Sequence, residues 1–133
     1  MLSWNSKLFL LWRSLAGDLI LRKKHLSINQ GGLSLSGWNT ENGSMSDMYY
    51  KGLSKHYGFS LDTPIEQLPE EILDILLYGN NGELIELEYA THKFSGNYKN
   101  SFEGLINNLE RRFRETTSES VKMDISRYMK ESP

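Results

Sequence analysis

The sequence has no cysteine, and only three of its 133 residues are proline. The absence of cysteine excludes disulfides, thiolate-bound zinc, cysteine-ligated iron–sulfur clusters and cysteine nucleophiles. Neither Gly-Lys-Ser nor Gly-Lys-Thr occurs, and no glycine-rich dinucleotide fingerprint follows a strand pattern. Nucleotide hydrolysis by these residues is therefore not expected. His25, His56 and His92 are far apart in sequence, so neither a shared metal site nor a cofactor is expected.

A long hydrophobic run is also missing. The apolar patch at 8–12 is too short to span a bilayer, and Arg13 and Asp18 interrupt the residues that follow it. We therefore expect a cytoplasmic chain with no membrane contact. With 38% hydrophobic and 24% charged residues, the chain is expected to fold as one globular domain.

The net charge is only −2, without the strongly basic balance of a dedicated nucleic-acid binder. The charges are unevenly distributed, however. Residues 1–40 carry five basic and one acidic side chain, residues 41–90 two and ten, and residues 91–133 eight and six. Any contact with a polyanion should therefore be local, made by one face of the molecule.

Helical patterns cover much of the chain after residue 44. Apolar side chains recur at intervals of three and four before Gly58, which predicts a first helix with this stripe: Met45, Met48, Tyr49, Leu53, His56 and Tyr57. Thr63 and Glu66 form a capping box around Pro64, typical of a short helical turn. A second helix is predicted from Pro69 to a left-handed cap at Gly79.

A strand and two further helices follow. Ile85, Leu87 and Tyr89 alternate with glutamates, which predicts a half-buried strand. A turn at 95–97 and a return strand over 98–102 complete an expected hairpin. One helix is expected from Leu105, and a capping box at Thr116–Glu119 predicts another through Met129. The sequence thus predicts an α+β fold, a small antiparallel hairpin or sheet packed against several short helices.

Candidate binding residues are cations in the last third of the chain. Arg111 and Arg114 lie near one another on the outer side of a helix, beside Arg112. Ion pairs Glu110–Arg114 and Arg111–Glu115 would make the same helix a salt-bridged surface, and the residues alone favour that interpretation. Lys122 and Lys130 form a second polar stripe, while Lys93 and Lys99 flank the hairpin turn with Tyr98. If these surfaces converge, they would bind phosphates while an aromatic ring packs on a sugar or base.

Two other charged groups have simpler interpretations. The basic run 22–25 is most readily a solvated loop. Glu86 and Glu88 share one strand face and resemble a carboxylate pair for acid–base chemistry, but a solvated strand face is the favoured interpretation. No catalytic residue is predicted.

Several ordered motifs resemble the bacterial UvrA family, whose members recognise damage in nucleotide excision repair. They are the runs 55–64, 68–71, 77–79, 102–104 and 108–116, followed by Tyr128-Met129. The resemblance covers roughly residues 18–133 and implies the insertion domain of the first ATPase half, with residues 1–17 as an extension outside the pattern. The family's ATPase and zinc motifs have no counterpart in these residues, so neither activity nor metal is implied.

The resemblance implies a non-catalytic module that contacts DNA weakly and without sequence preference. The residues expected to meet phosphates are Lys93, Lys99, Arg111, Arg112, Arg114, Lys122 and Lys130. The alternative is a protein-interaction module that docks on other excinuclease or ATPase subunits through the acidic face from Glu66 to Glu88.

Overall fold

The computed structural model describes residues 17–33, 35, 37–38, 44–90 and 93–127. Its longer elements are, in chain order, α1 (Met45–Tyr57), α2 (Glu70–Tyr78), β1 (Ile85–Ala90), β2 (Ser95–Asn100), α3 (Leu105–Glu115) and α4 (Glu119–Ser126). Residues 17–20 are also helical, and 3-10 turns cover Leu21–Lys23 and Ile65–Gln67. The α+β prediction is confirmed. No helix in these ranges is long and apolar enough to cross a membrane.

The two strands form an antiparallel hairpin that packs on α1, while α3 packs between α2 and α4. Gly52 allows α1 to approach β1 closely, because a Cβ there would lie 2.7 Å from Leu87 Cδ2. Trp38 connects α1 with α3. Its ring contacts Tyr50 and Phe102, and its indole N–H donates to Asn108 of α3 at 2.9 Å.

The first helix ends where its sequence predicts. Ser44 Oγ accepts the amide hydrogen of Asp47 at the N-terminus, and Gly58 closes the C-terminus in a left-handed conformation with φ +70°. The predicted apolar stripe is wrong in part. Tyr50 and Leu53 are buried, whereas Met45 and His56 are exposed, because the hairpin and the segment before α1 cover a face rotated from the expected one.

The predicted capping box at Thr63 does not form, although a short turn begins there. No side chain caps the Ile65–Gln67 turn. The amide of Ile65 donates to the carbonyl of Leu26, and the amide of Glu66 donates to that of Lys24. The segment before α1 therefore satisfies the donors that the Thr63 side chain was expected to satisfy.

The α2 helix begins after Pro69 and ends at Gly79, close to the predicted positions. The predicted left-handed cap is wrong, since Gly79 has φ +96° but ψ 175°. This conformation lets the end of α2 lie directly against the start of α3. A Cβ on Gly79 would be 2.6 Å from the carbonyl oxygen of Glu103, and one on Gly104 would be 2.4 Å from the Gly79 amide.

The hairpin turn lies earlier than predicted. Ala90 pairs with Ser95, so residues 95–97 belong to β2 and the chain has reversed before Ser95. Gly96 lies under the Tyr89 ring, where a Cβ would be 2.8 Å from the tyrosine hydroxyl. The glycine therefore makes room for a cross-strand ring, and the Ser-Gly-Asn turn signal pointed to the wrong place.

The last helix also begins two residues later than its predicted capping box. Ser118 caps α4 by accepting the Val121 amide hydrogen, whereas the Thr116 hydroxyl accepts the Ser118 amide hydrogen. Ile125 of this helix is buried. The predicted continuation through Met129 lies outside the described residues, as do His92, Lys130 and nearly all of the expected extension at 1–17.

Candidate functional site

The hairpin carries exposed cations and aromatic rings. Leu87, Tyr89 and Tyr98 share one face of the ribbon, and Leu87 is buried under α1. The rings of Tyr89 and Tyr98 extend beyond this cover, with centroids 6.1 Å apart and 41% of each residue exposed. Lys93 and Phe94 lie in the turn, where Phe94 is 67% exposed. We call Tyr89, Lys93, Phe94, Tyr98 and Lys99 the hairpin surface.

Lys99 lies on the opposite face of the ribbon, directly across from Glu86. Glu86 accepts a hydrogen bond from the Asn97 side chain at 3.2 Å. No ion pair within 4.0 Å joins Lys99 to a carboxylate of the described residues. The exposed ammonium group of Lys99 can therefore reach an external anion.

A groove of about 830 Å³ separates α1 from the hairpin. Its lining includes two lysines of α1 that are already held by carboxylates. Lys51 pairs with Asp47 at 2.9 Å, and Lys55 pairs with Glu88 at 3.2 Å. The groove is therefore close to neutral and makes a poor phosphate site.

Arg111 is held by two glutamates. Its Nη2 and Nε donate to the two carboxylate oxygens of Glu103 at 2.7 and 3.1 Å, and Nη1 donates to Glu115 at 3.1 Å. Asn108 also donates to Glu103 at 2.9 Å. The hydrogen bonds from Arg111 lower the pKa of the Glu103 carboxyl, and those to Glu103 raise the pKa of the guanidinium. Both groups are thus strongly stabilised in their charged forms.

The other two arginines of α3 differ from each other. Arg114 lies 3.9 Å from Glu110, and its side chain is 69% exposed. The half-buried Arg112 packs against Gly37, where a Cβ would be 2.9 Å from Nη1. Both ion pairs of the salt-bridged interpretation, Glu110–Arg114 and Arg111–Glu115, are present. Two of the three α3 arginines are therefore paired with carboxylates, Arg111 with Glu103 and Glu115, and Arg114 with Glu110.

The predicted cations do not form one continuous cluster. Lys93 precedes β2, whereas Arg111 is bonded to Glu103, beyond the other end of this six-residue strand. A strand of that length separates the two groups by about 17 Å. Lys122 is half-buried on α4, and Lys130 lies outside the described residues. The three arginines share α3. Lys93 precedes β2, whereas Lys99 lies near the far end of that strand.

Only some glutamates of the acidic face from Glu66 to Glu88 are paired with other described residues. Glu83 accepts a hydrogen bond from the Tyr57 hydroxyl and lies 3.4 Å from His56 Nε2. The Tyr57 hydrogen bond is the main cause of a lowered Glu83 pKa. Glu66, Glu70 and Glu71 are exposed and make no ion pair within the described part of the chain. No group of three or more His, Asp or Glu side chains there is arranged to hold a metal ion.

The sequence patterns did not single out Phe94 and Tyr89 as surface residues. Tyr89 continues the strand's apolar alternation, so it was expected to be half-buried like Ile85 and Leu87. The signal for Phe94 is an apolar residue between two strands, which becomes visible only when Ser95 is assigned to β2. An exposed aromatic ring beside a lysine is a common contact surface for nucleic-acid bases.

Comparison with known proteins places this chain in a family. The sequence profile of the UvrA DNA-binding domain matches residues 17–127. UvrABC system protein A of Clostridium perfringens (strain 13 / Type A) is 38% identical over 117 residues, 87% of this chain and 12% of that protein. The corresponding protein of Clostridium tetani (strain Massachusetts / E88) is 41% identical over 115 residues, 86% of this chain and 12% of its own length. This chain thus spans about an eighth of these relatives.

A solved structure shares the fold. The crystal structure of UvrA2 from Deinococcus radiodurans superposes with a TM-score of 0.65 over 88% of this chain and 15% of that one, at 19% identity. The described arrangement of hairpin and helices therefore occurs in a much larger protein.

Proposed function

This chain belongs to the UvrA DNA-binding domain family, and from that premise we propose that it is a non-catalytic module that holds DNA by its phosphate backbone. The observation that carries the proposal is the hairpin surface. It combines exposed lysines with exposed aromatic rings on a ribbon that projects beyond α1. Lysine ammonium groups bind phosphates without reading sequence, and aromatic rings stack on any base.

The width of the hairpin also fits DNA. The major groove of B-form DNA admits a two-stranded β-ribbon. Lys93 in the turn and Lys99 on the outer face would then meet phosphates on either side of the groove. Phe94 and Tyr98 would pack on sugars or on unstacked bases. Such binding is weak, sensitive to salt and tolerant of sequence.

The remaining predicted contacts are weaker candidates for first contact. Each α3 arginine has an internal partner, so binding phosphate requires exchanging a glutamate or, for Arg112, leaving Gly37. We therefore assign first contact to Lys99, which makes no ion pair within the described residues, and to Lys93 because it is exposed beside the exposed Phe94. A supporting role remains for the others: Arg111, Arg112, Arg114, Lys122 and Lys130.

A titration of labelled duplex at about 50 and 200 mM salt tests the proposal. Lys93→Gln with Lys99→Gln should remove two phosphate contacts. The negative slope of log K against log salt should then become shallower by about 1.8. The matched control is Lys51→Gln with Lys55→Gln, which changes net charge equally but affects lysines already paired with carboxylates. Absence of binding at the lower salt, or equal slopes for the two variants, would refute the proposal.

The larger relatives have parts that this chain does not cover, so we extend to it neither ATP hydrolysis nor a metal or cofactor. Its place as the insertion domain, over residues 18–133, and its cytoplasmic location remain predictions.

Docking on other excinuclease subunits is the second candidate function, favoured by the exposed glutamates at 66, 70 and 71. Glu86→Lys with Glu88→Lys should reduce capture of such a subunit in a pull-down while DNA binding persists. Unchanged capture would exclude these two residues from the docking face.

A further inference from the structure

The basic segment 22–25 is not a loose loop. Leu21–Lys23 form a 3-10 turn, and the carbonyls of Lys24 and Leu26 accept amide hydrogens from Glu66 and Ile65 at 2.9 and 3.0 Å. Ile20 before it and Ile28 after it are 2% and 1% exposed. The backbone is therefore anchored on both sides. Its side chains can bind a ligand without the entropic cost of ordering the main chain.

The cations of this segment make no ion pair with any described residue, unlike the lysines of α1 and Arg111 and Arg114 of α3. Arg22, Lys23 and Lys24 are exposed, and none of them makes an ion pair within 4.0 Å in the described part of the chain. The nearby carboxylates of Asp18 and Glu66 are exposed and do not pair with them. Three adjacent like charges repel one another, and an external anion relieves that repulsion.

The geometry favours an extended polyanion over a single small anion. Successive side chains of a 3-10 turn point about 120° apart. The three cationic groups therefore spread outward and cannot converge on one phosphate. Long side chains that spread in this way can reach successive phosphates along a nucleic-acid backbone.

We propose that Arg22, Lys23 and Lys24 form a second phosphate-binding site, separate from the hairpin surface, for the backbone of the same DNA. This inference rests on the proposed function, because it takes DNA as the ligand. It assigns a binding role to three adjacent exposed cations that make no ion pair with the described residues. An acidic protein segment is the competing occupant, and the test below separates the two.

The test compares the full chain with two variants of equal net charge, Lys23→Gln with Lys24→Gln and Lys51→Gln with Lys55→Gln. Labelled duplex is titrated with each at about 50 and 200 mM salt. Loss of two phosphate contacts should make the negative salt slope of the first variant shallower by about 1.8. The ratio of wild-type to variant affinity should then be about 12-fold larger at the lower salt, whereas the control should keep the wild-type slope.

Equal slopes for both variants, with the wild-type chain binding, would overturn the second site and leave the proposed function intact. That result is also expected if the segment binds an acidic protein. Failure of the wild-type chain to bind at the lower salt would overturn both proposals. The substituted lysines are exposed, so thermal unfolding of the variants should match the wild-type chain and show that any change in slope arises from lost contacts.

Discussion

Replacing Glu103 with glutamine should strengthen DNA binding while weakening the fold. The Glu103 carboxylate accepts two hydrogen bonds from Arg111 and one from Asn108. Glutamine is nearly isosteric and can still accept from Asn108, but it loses the charge that holds the guanidinium. Arg111 would then keep only its exposed partner Glu115, whose side chain is 64% exposed.

The effects on stability and on DNA affinity are both modest and can be measured separately. The Arg111 and Glu103 side chains are 43% and 39% exposed, so water screens the pair and its loss should cost about 1 kcal/mol of unfolding free energy. That corresponds to a fall in Tm of about 4 °C for a domain of this size. A released Arg111 adds about one phosphate contact. The salt slope should steepen by about 0.9, making the gain in affinity about 3.5-fold larger at 50 than at 200 mM salt.

The stability effect should also depend on pH. Arg111 lowers the Glu103 pKa in the folded state, so the pair stabilises the fold above the ordinary glutamate pKa of about 4.3. That contribution disappears as the pH falls through the lowered folded-state value. The Tm difference between the wild-type chain and Glu103→Gln should therefore be present at about pH 7 and vanish at low pH.

Glu71→Gln is the matched control, because it makes the same change in net charge at an exposed position on α2. Differential scanning calorimetry gives the Tm values, and duplex titrations give the slopes. If Glu71→Gln raised DNA affinity as much as Glu103→Gln, the gain would come from net charge. The idea that Glu103 withholds Arg111 from phosphate would then be wrong.

Two further predictions concern the glycine contact between helices and the hairpin turn. Gly104→Ala should destabilise the fold by about 3 kcal/mol, since φ is +94° and the new Cβ would meet the Gly79 backbone, whereas Gly58→Ala should cost about 1 kcal/mol because nothing lies within 4 Å of its Cβ. Equal losses in urea unfolding would contradict the close approach of α2 and α3. Phe94→Ala should leave Tm unchanged, since the ring is 67% exposed, but weaken binding to single-stranded or mismatched DNA by about 10-fold. Unchanged affinity in the same titration would remove Phe94 from the contact surface.

The elements that the sequence predicted correctly are those specified by neighbouring residues. Gly58 ends α1 as predicted, because a left-handed C-terminus depends on local tolerance of positive φ. The pairs Glu110–Arg114 and Arg111–Glu115 form because residues four apart meet on any helix.

The errors arose where distant segments meet. The turn signal at 95–97 failed because Gly96 accommodates the Tyr89 ring of the paired strand. The Thr63 capping box failed because residues before α1 satisfy the same amides. A local pattern carries no information about such partners, which become neighbours only in the folded chain.

The sequence alone determined the family, the fold class and most helix positions, since these follow from motifs and short-range periodicity. Only the tertiary structure decided which cations are available to a ligand. Arg111 is hydrogen-bonded to Glu103, eight residues away. Arg112 packs against Gly37, which is distant from Arg112 in sequence. The segment 22–24 is anchored by the amides of Ile65 and Glu66, yet its charges pair with no carboxylate among the described residues. Charge availability depends on the distances between carboxylates and cations in space, and only folding sets those distances.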